Sequence, residues 1–384
     1  MDLLIFLLIT LVSGVLPAQG ATGPLVPVDK SCFNVTIPVT VTSTNFIYGL
    51  PKFSDNLDIT ALTIELNTRG VFASLNPFAG TQNETATYHV SGTFCGPSSN
   101  KASTLLLATH GASLDRYYWD FQYEPSCYSF VDFAVSKGYS VFYYDRVGAG
   151  ESSLLSGYVA QIPINVGVLE QLTNYIRSGS LSLAGNKYKP NKIVLLGHSV
   201  GSIISNALLV TNPTIADGAV LTGWSPNSGL LAAIPCIFAG IQAKIAKTVN
   251  PARWGAYDNG WFTVIDIYAY IELFYKIGSF DFTAVQFALN TSWPIGIMEF
   301  LTIYVQGFVS QSTIPVLFQV GSNDAIICQG NCSGVFTNVV GLLFPKSASL
   351  EAYIQPNTGH ILTTALNATG GFQVITDYLH KNGF

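Results

Sequence analysis

Charge is scarce in this chain. Its 384 residues include 17 Lys and Arg, 22 Asp and Glu and 5 His, a net charge of −5 with 10% charged residues. No basic stripe is available to neutralise a phosphate backbone, so nucleic acid is not an expected partner. The low charge and 49% hydrophobic content also argue against a disordered, solvating role and supply enough for a large core. Ligand-spaced clusters of His, Cys and acidic residues are missing, as is a phosphate-cradling glycine loop, so neither metal nor cofactor is expected. There is no internal repeat and no low-complexity linker. Long apolar runs are also lacking, despite a mean hydropathy of +0.38. The exception is Leu3 to Leu16, followed by Pro17 and Ala18-Gln19-Gly20. It reads as a secretory signal peptide over 1–20, cut near Gly20 or Ala21, leaving no stable membrane span after cleavage. Its leading segment is unusual in carrying Asp2 and no Lys or Arg.

Six cysteines are present: Cys32, Cys95, Cys127, Cys236, Cys328 and Cys332. An even count suits an oxidising compartment. Cys328 and Cys332 are close enough to close a small loop, and Cys32 with Cys95 could staple the N-terminal region; buried thiols are the plainer alternative. Five glycosylation sequons start at Asn34, Asn83, Asn290, Asn331 and Asn367. With the leader they predict a secreted, extracellular eukaryotic glycoprotein.

Residues 32–43 alternate with β-branched side chains and predict a strand; a helix is expected over 58–69, its start marked by Asp55 and Asn56, and a strand over 85–95. From Thr104 short apolar strands alternate with helices: strands at 104–109, 139–144, 193–196, 218–222, 314–320 and 350–354, helices at 126–137, 165–177, 202–212 and 371–381. That alternation implies βαβ units and a mostly parallel sheet, an α/β fold. The chain divides into an N-terminal extension with hairpin strands (21–103), an α/β core (104–225 and 311–384) and an insertion (226–310). Rich in Trp, Tyr and Phe, the insertion reads as a helical lid selecting an apolar substrate. Each single aromatic is as well explained by the insertion's own core.

Ile193 to Leu196 leads into Gly197-His198-Ser199-Val200-Gly201 and then a helical pattern. In a strand–turn–helix context, two glycines permit the sharp turn that pushes a serine outward. A serine hydroxyl needs a histidine to take its proton and a carboxylate to hold the histidine. Of His89, His110, His198, His360 and His380, only His360 lies in a loop just after the last strand, which makes it the expected base. Asp324 follows the strand ending at Val320, whereas the segment after Thr222 (Gly223-Trp224-Ser225-Pro226) holds no carboxylate; Asp324 is the expected acid. The backbone amides of Val200 and of Ala112 (Ser113 the lesser choice) are the expected oxyanion donors. His110 is read as orienting that loop.

These segments together resemble the α/β-hydrolase superfamily, of the secreted lipase and esterase type. The resemblance is carried by His110-Gly111, Tyr144-Asp145-Arg146-Val147-Gly148-Ala149-Gly150-Glu151-Ser152, the Gly197–Gly201 turn, Asp324 and His360, in the family's order over about three quarters of the chain. It implies a central sheet flanked by helices with an inserted lid, and a structural role for the Asp-Arg-x-Gly-x-Gly-x-Ser stretch. The first hundred residues depart from the minimal pattern and resemble the extension of secreted fungal members. The expected activity is hydrolysis of a carboxylic ester of an apolar, lipid-like small molecule through an acyl-enzyme. Competing readings are an amide or lactone hydrolase, an acyl transferase in natural-product metabolism, and a non-catalytic binding protein of the same fold. Oligomeric state is open.

Overall fold

The computed structural model describes residues 28–68, 76–98, 103–226, 237–303 and 306–384. The leader over 1–20 and Cys236 lie outside the described residues, as does part of the insertion.

Eight strands form one sheet: β1 (Lys30–Tyr48), β2 (Phe78–Pro97), β3 (Thr104–Thr109), β4 (Ser140–Tyr144), β5 (Lys192–His198), β6 (Gly218–Thr222), β7 (Val316–Gly321) and β8 (Leu350–Gln355). Their spatial order is β1-β2-β4-β3-β5-β6-β7-β8. All pairings from β4 to β8 are parallel. The β1–β2 and β2–β4 pairings are antiparallel. The central strands are continuous apolar runs because helices cover both faces; every residue of β3 and β6 is buried.

The long β1–β2 hairpin shows the opposite pattern. Ile37, Val39 and Val41 are buried on one face. Thr40 pairs with Thr87 and Thr42 with Thr85 on the exposed face, hydroxyl to hydroxyl at 2.9 and 2.8 Å. Helix α1 (Asn56–Leu66) begins at Asp55, whose carboxylate accepts the Leu57 N–H. Val41 packs against Gly167 of α2 (Ile162–Arg177), where an added Cβ would lie 2.4 Å from Val41 Cγ1. A disulfide joins Cys32 to Cys95 across the hairpin, and a second joins Cys328 to Cys332.

Two expectations need correction. The helix expected over 126–137 is broken into Pro125–Tyr128 and Phe130–Ser136. Ser129 adopts an extended ψ of 109°; its hydroxyl donates to Asp120 and accepts the Asp132 N–H. A side chain offering the backbone these alternatives ends one helix and caps the next.

The insertion is not wholly helical. Trp261–Thr263 pairs antiparallel with both Lys244–Ile245 and Ile295–Gly296. Helix α3 (Val200–Thr211) follows β5 in the core, and the insertion's helices include α4 (Ile267–Phe274), α5 (Phe282–Thr291) and α6 (Ile297–Leu301). Phe238, Phe262 and Phe300 pack on one another with ring centroids 4.6 to 5.9 Å apart. Much of the aromatic content is therefore the insertion's own core. Among the described residues no helix is long and apolar enough to cross a membrane.

Candidate active site

The carboxyl ends of β3, β5, β7 and β8 open onto one cleft, and each contributes to it. At the end of β5 the chain reverses at Ser199, with φ 53° and ψ −117°, a conformation L-residues rarely adopt. The Ser199 N–H donates to Thr222 O at 2.8 Å, fixing the turn to β6. The flanking glycines are demanded by packing. A Cβ on Gly201 would sit 2.1 Å from Thr109 O, and one on Gly197 would sit 2.6 Å from Gly201 O.

Ser199 Oγ lies 2.9 Å from His360 Nε2. His360 Nδ1 lies 2.7 Å from Asp324 Oδ2. Asp324 Oδ1 accepts the N–H groups of Ile326 and Ile327, both at 2.9 Å, as the cap of a four-residue helix (Ala325–Cys328). A carboxylate can only accept, so His360 carries its proton on Nδ1 and presents the Nε2 lone pair to the Ser199 hydroxyl. Asp324 and His360 are buried; Ser199 is partly exposed toward the cleft. This arrangement can move a proton off Ser199 onto an imidazole whose new charge faces a buried carboxylate.

The amides of Val200, at the start of α3, and Ala112, after β3, both border the cavity beside Ser199. Neither has an acceptor among the described residues. The peptide group holding the Ala112 N–H also holds the Gly111 C=O, and that carbonyl is tied down. His110 Nδ1 donates to it at 2.9 Å and Arg146 Nη2 at 3.0 Å. The Arg146 N–H donates to His110 Nε2 at 3.0 Å, which places the His110 proton on Nδ1. Burial, and then the Arg146 charge, hold His110 far below the usual histidine range, so it stays neutral. In a trans peptide the C=O and N–H point opposite ways, so fixing Gly111 O aims the Ala112 N–H. A Cβ on Gly111 would come 3.1 Å from the Ser199 Cβ, so the close approach favours glycine.

The remaining histidines do other work. His198 is buried under Tyr118, ring on ring at 4.3 Å, with Nδ1 3.1 Å from Thr222 Oγ1. Burial above all keeps it far below its usual range. His89 and His380 are exposed and far from the cleft in the fold's outer hairpin and last helix (Ala368–Lys381). In the Asp-Arg-x-Gly-x-Gly-x-Ser stretch, Asp145 receives Arg116 at 2.8 Å and the Glu151 N–H at 2.9 Å. A Cβ on Gly150 would strike that carboxylate at 2.0 Å.

Beside Ser199 lies a cavity lined by Val200, Ile203, Leu273, Phe274, Phe300 and Ile327 among others. Its described lining contains no charged side chain, and its only side-chain hydroxyls belong to Ser113 and Ser199. Four of the five sequon asparagines (Asn34, Asn83, Asn290, Asn331) are exposed. Asn367 differs: its side-chain N–H donates to Pro356 O at 2.6 Å, and its Oδ1 accepts from Gln355 and Thr358 at 3.1 and 2.9 Å. That amide holds the loop carrying His360.

Sequence reasoning missed Glu299, whose carboxylate pairs with Arg146 in a buried, two-pronged contact. It also missed Asp115 and Trp293. No local pattern marks these residues, because their partners are distant in sequence.

A family model described as serine aminopeptidase, S33, matches residues 126–261. No curated protein matches the sequence. Among solved structures, an esterase from Thermogutta terrifontis is 19% identical with a TM-score of 0.50, covering 78% of this chain and 95% of its own. A structure reported with carboxylesterases of Nitrososphaera gargenis is 13% identical, TM-score 0.53, covering 77% and 95%. A soluble variant of monoglyceride lipase from Saccharomyces cerevisiae is 15% identical, TM-score 0.52, covering 77% and 92%. At these identities the likeness is one of fold: the chain has an α/β-hydrolase fold, with a serine–histidine–aspartate arrangement at its cleft.

Proposed function

We propose that the protein is a secreted serine esterase that hydrolyses carboxylic esters of apolar acids. One observation carries this reading: the Ser199 hydroxyl, in hydrogen-bonding reach of His360, opens into a cavity whose described walls are mostly apolar and carry no charged side chain. His360 takes the Ser199 proton as Oγ attacks the carbonyl carbon. The oxyanion is received by the amides of Val200 and Ala112. His360 then returns the proton to the departing alcohol, and the same relay activates a water that releases the acid. Asp324 holds the imidazole throughout and stabilises its transient charge.

The family model that matches is described as an aminopeptidase, which makes amide cleavage the second reading. Binding the ammonium of a free peptide N-terminus in a water-poor site calls for a carboxylate, and the described cavity lining has none. That favours neutral acyl groups. Export is supported by the leader-like Leu3–Leu16 run, the two disulfides and the exposed sequons.

A fluorophosphonate bearing an alkyl chain should label Ser199 stoichiometrically, with labelling lost in Ser199→Ala. Adduct on any other serine, or none, would end the mechanism. Alkyl esters, a lactone and an aminoacyl amide assayed side by side should rank the esters first. Secretion is tested by sequencing the N-terminus of protein recovered from culture medium, expected at Gly20 or Ala21.

A further inference from the structure

The turn that carries the Ala112 amide is held from the insertion. Ser113 has φ 61°, in the region that favours glycine, so the turn is costly to maintain and needs external ties. Its Ser113 carbonyl accepts the backbone N–H of Trp293 at 3.2 Å. The indole N–H of the same Trp293 donates to Asp115 Oδ2 at 2.9 Å, while Asp115 Oδ1 accepts the Tyr117 N–H at 2.9 Å. Trp293 is itself fixed. The Arg253 guanidinium lies over its ring at 5.0 Å and donates to Asn290 O at 2.6 Å. At the other end of the turn, Gly111 O is held by Arg146, and Arg146 is held by Glu299 of α6.

We propose that the insertion is a working part of the oxyanion site: Trp293, through Ser113 and Asp115, and Glu299, through Arg146, are positioning residues for the Ala112 amide. The inference rests on the reading of Ser199 as an esterase nucleophile. Tying the carbonyls on both sides of Ala112 leaves its N–H a single direction, and an oxyanion donor acts only when already aimed at the position the charge will occupy. The insertion therefore does more than wall the acyl cavity. It sets the geometry of one of the two donors.

Asp115 offers a clean way to cut the Trp293 tie. Its two oxygens serve two different N–H groups, and Asp115→Asn keeps one acceptor for Tyr117 while turning an NH₂ toward the indole. Trp293→Phe removes the other side of the bond and keeps the ring under Arg253. Each variant should lower kcat about tenfold with KM changed less than about twofold, and the double variant should be no slower than either alone. The decisive readout is binding of an alkyl trifluoromethyl ketone, whose adduct with Ser199 places an oxyanion in the site, against binding of the matching alkyl alcohol. Both variants should lose about tenfold in ketone affinity and none for the alcohol. Equal losses for ketone and alcohol, additive effects, or an unchanged kcat would each overturn the proposal. Wild-type protein that binds the ketone at Ser199 but splits no ester would sink the esterase reading alone, and the ketone-to-alcohol ratio would still decide the role of Trp293.

Discussion

The carbonyl of Asp324 accepts the backbone N–H of Gly330 at 3.0 Å, so the loop bearing the acid folds back on itself inside the Cys328–Cys332 disulfide. Cys328 N–H also donates to Asp324 O, at 3.2 Å, and Cys332 N–H to Ser322 O, at 3.1 Å. Ile326 and Ile327, between Asp324 and the first cysteine, line the cavity beside Ser199. The small disulfide thus braces both the carboxylate and a cavity wall.

The two disulfides should therefore separate function from stability. Cys328→Ser with Cys332→Ser opens a loop with a sequence separation of 4. Loop-closure entropy makes that worth about 2 kcal/mol, with kcat/KM expected to fall about tenfold. Cys32→Ser with Cys95→Ser opens a separation of 63, worth about 4 kcal/mol by the same relation, with kcat per folded molecule unchanged. Urea unfolding and active-site titration on each pair decide this; an active Cys328/Cys332 double variant of normal kcat/KM would refute the brace.

The contrast also explains what could be read from the sequence. Strands such as Leu105–Ala108 and Ile193–Leu196 were legible because a strand buried on both faces has to be a continuous apolar run. Asp324 was legible because it stands just beyond such a strand, and His360 because it follows the last strand, an edge strand that is only partly buried. The break at Ser129 was not, since it depends on Asp120 arriving from an earlier loop. The insertion's strands of two or three residues are too short to show a period. Trp293 looked like any other aromatic there; its bond to Asp115 spans 178 residues and leaves no local trace.

Ser199 holds a strained backbone, and the strain is separable from its chemistry. Replacing Ser199 by Ala removes the nucleophile and keeps the Cβ at φ 53°. Replacing it by Gly removes both. The Ser199→Gly protein should be inactive yet more stable than Ser199→Ala by about 1–2 kcal/mol, less the extra chain entropy of glycine. Matched thermal melts test this, and a less stable glycine variant would mean that the turn is not strained.

His110 and His198 should govern the acid limb of stability. Both are buried and held far below the ordinary histidine range, so they are neutral in the fold. The unfolded chain takes up their protons near pH 6.5 while the folded one does not. Their contribution is thus fully present above about pH 6.5 and is lost as pH falls below it, by about 1.4 kcal/mol per pH unit for each histidine. Urea midpoints measured from pH 8 to pH 4 should show that slope, and His198→Gln should remove one proton's share of it. A flat profile below pH 6 would show that neither is held neutral in the fold, and half the slope that one of them titrates normally.

The acyl cavity predicts a chain-length rule that can be broken at one position. Ile241 lines the cavity and is buried. A longer acyl chain fills more of that space, and each buried CH₂ contributes about 0.8 kcal/mol, so kcat/KM should climb about fourfold per CH₂ until the cavity is full. Ile241→Asp places a carboxyl against the chain, where it must either stay hydrated, drawing water into the cavity, or be protonated at a cost. Its effect should therefore scale with the substrate. An acetyl ester, which fills least of the cavity, should be hydrolysed at near the wild-type rate. An octanoyl ester should lose about a hundredfold in kcat/KM, the equivalent of about 3 kcal/mol. Equal losses on both esters would mean that the substitution had disturbed Ser199 and its partners, and no loss on either would place the acyl chain outside this cavity.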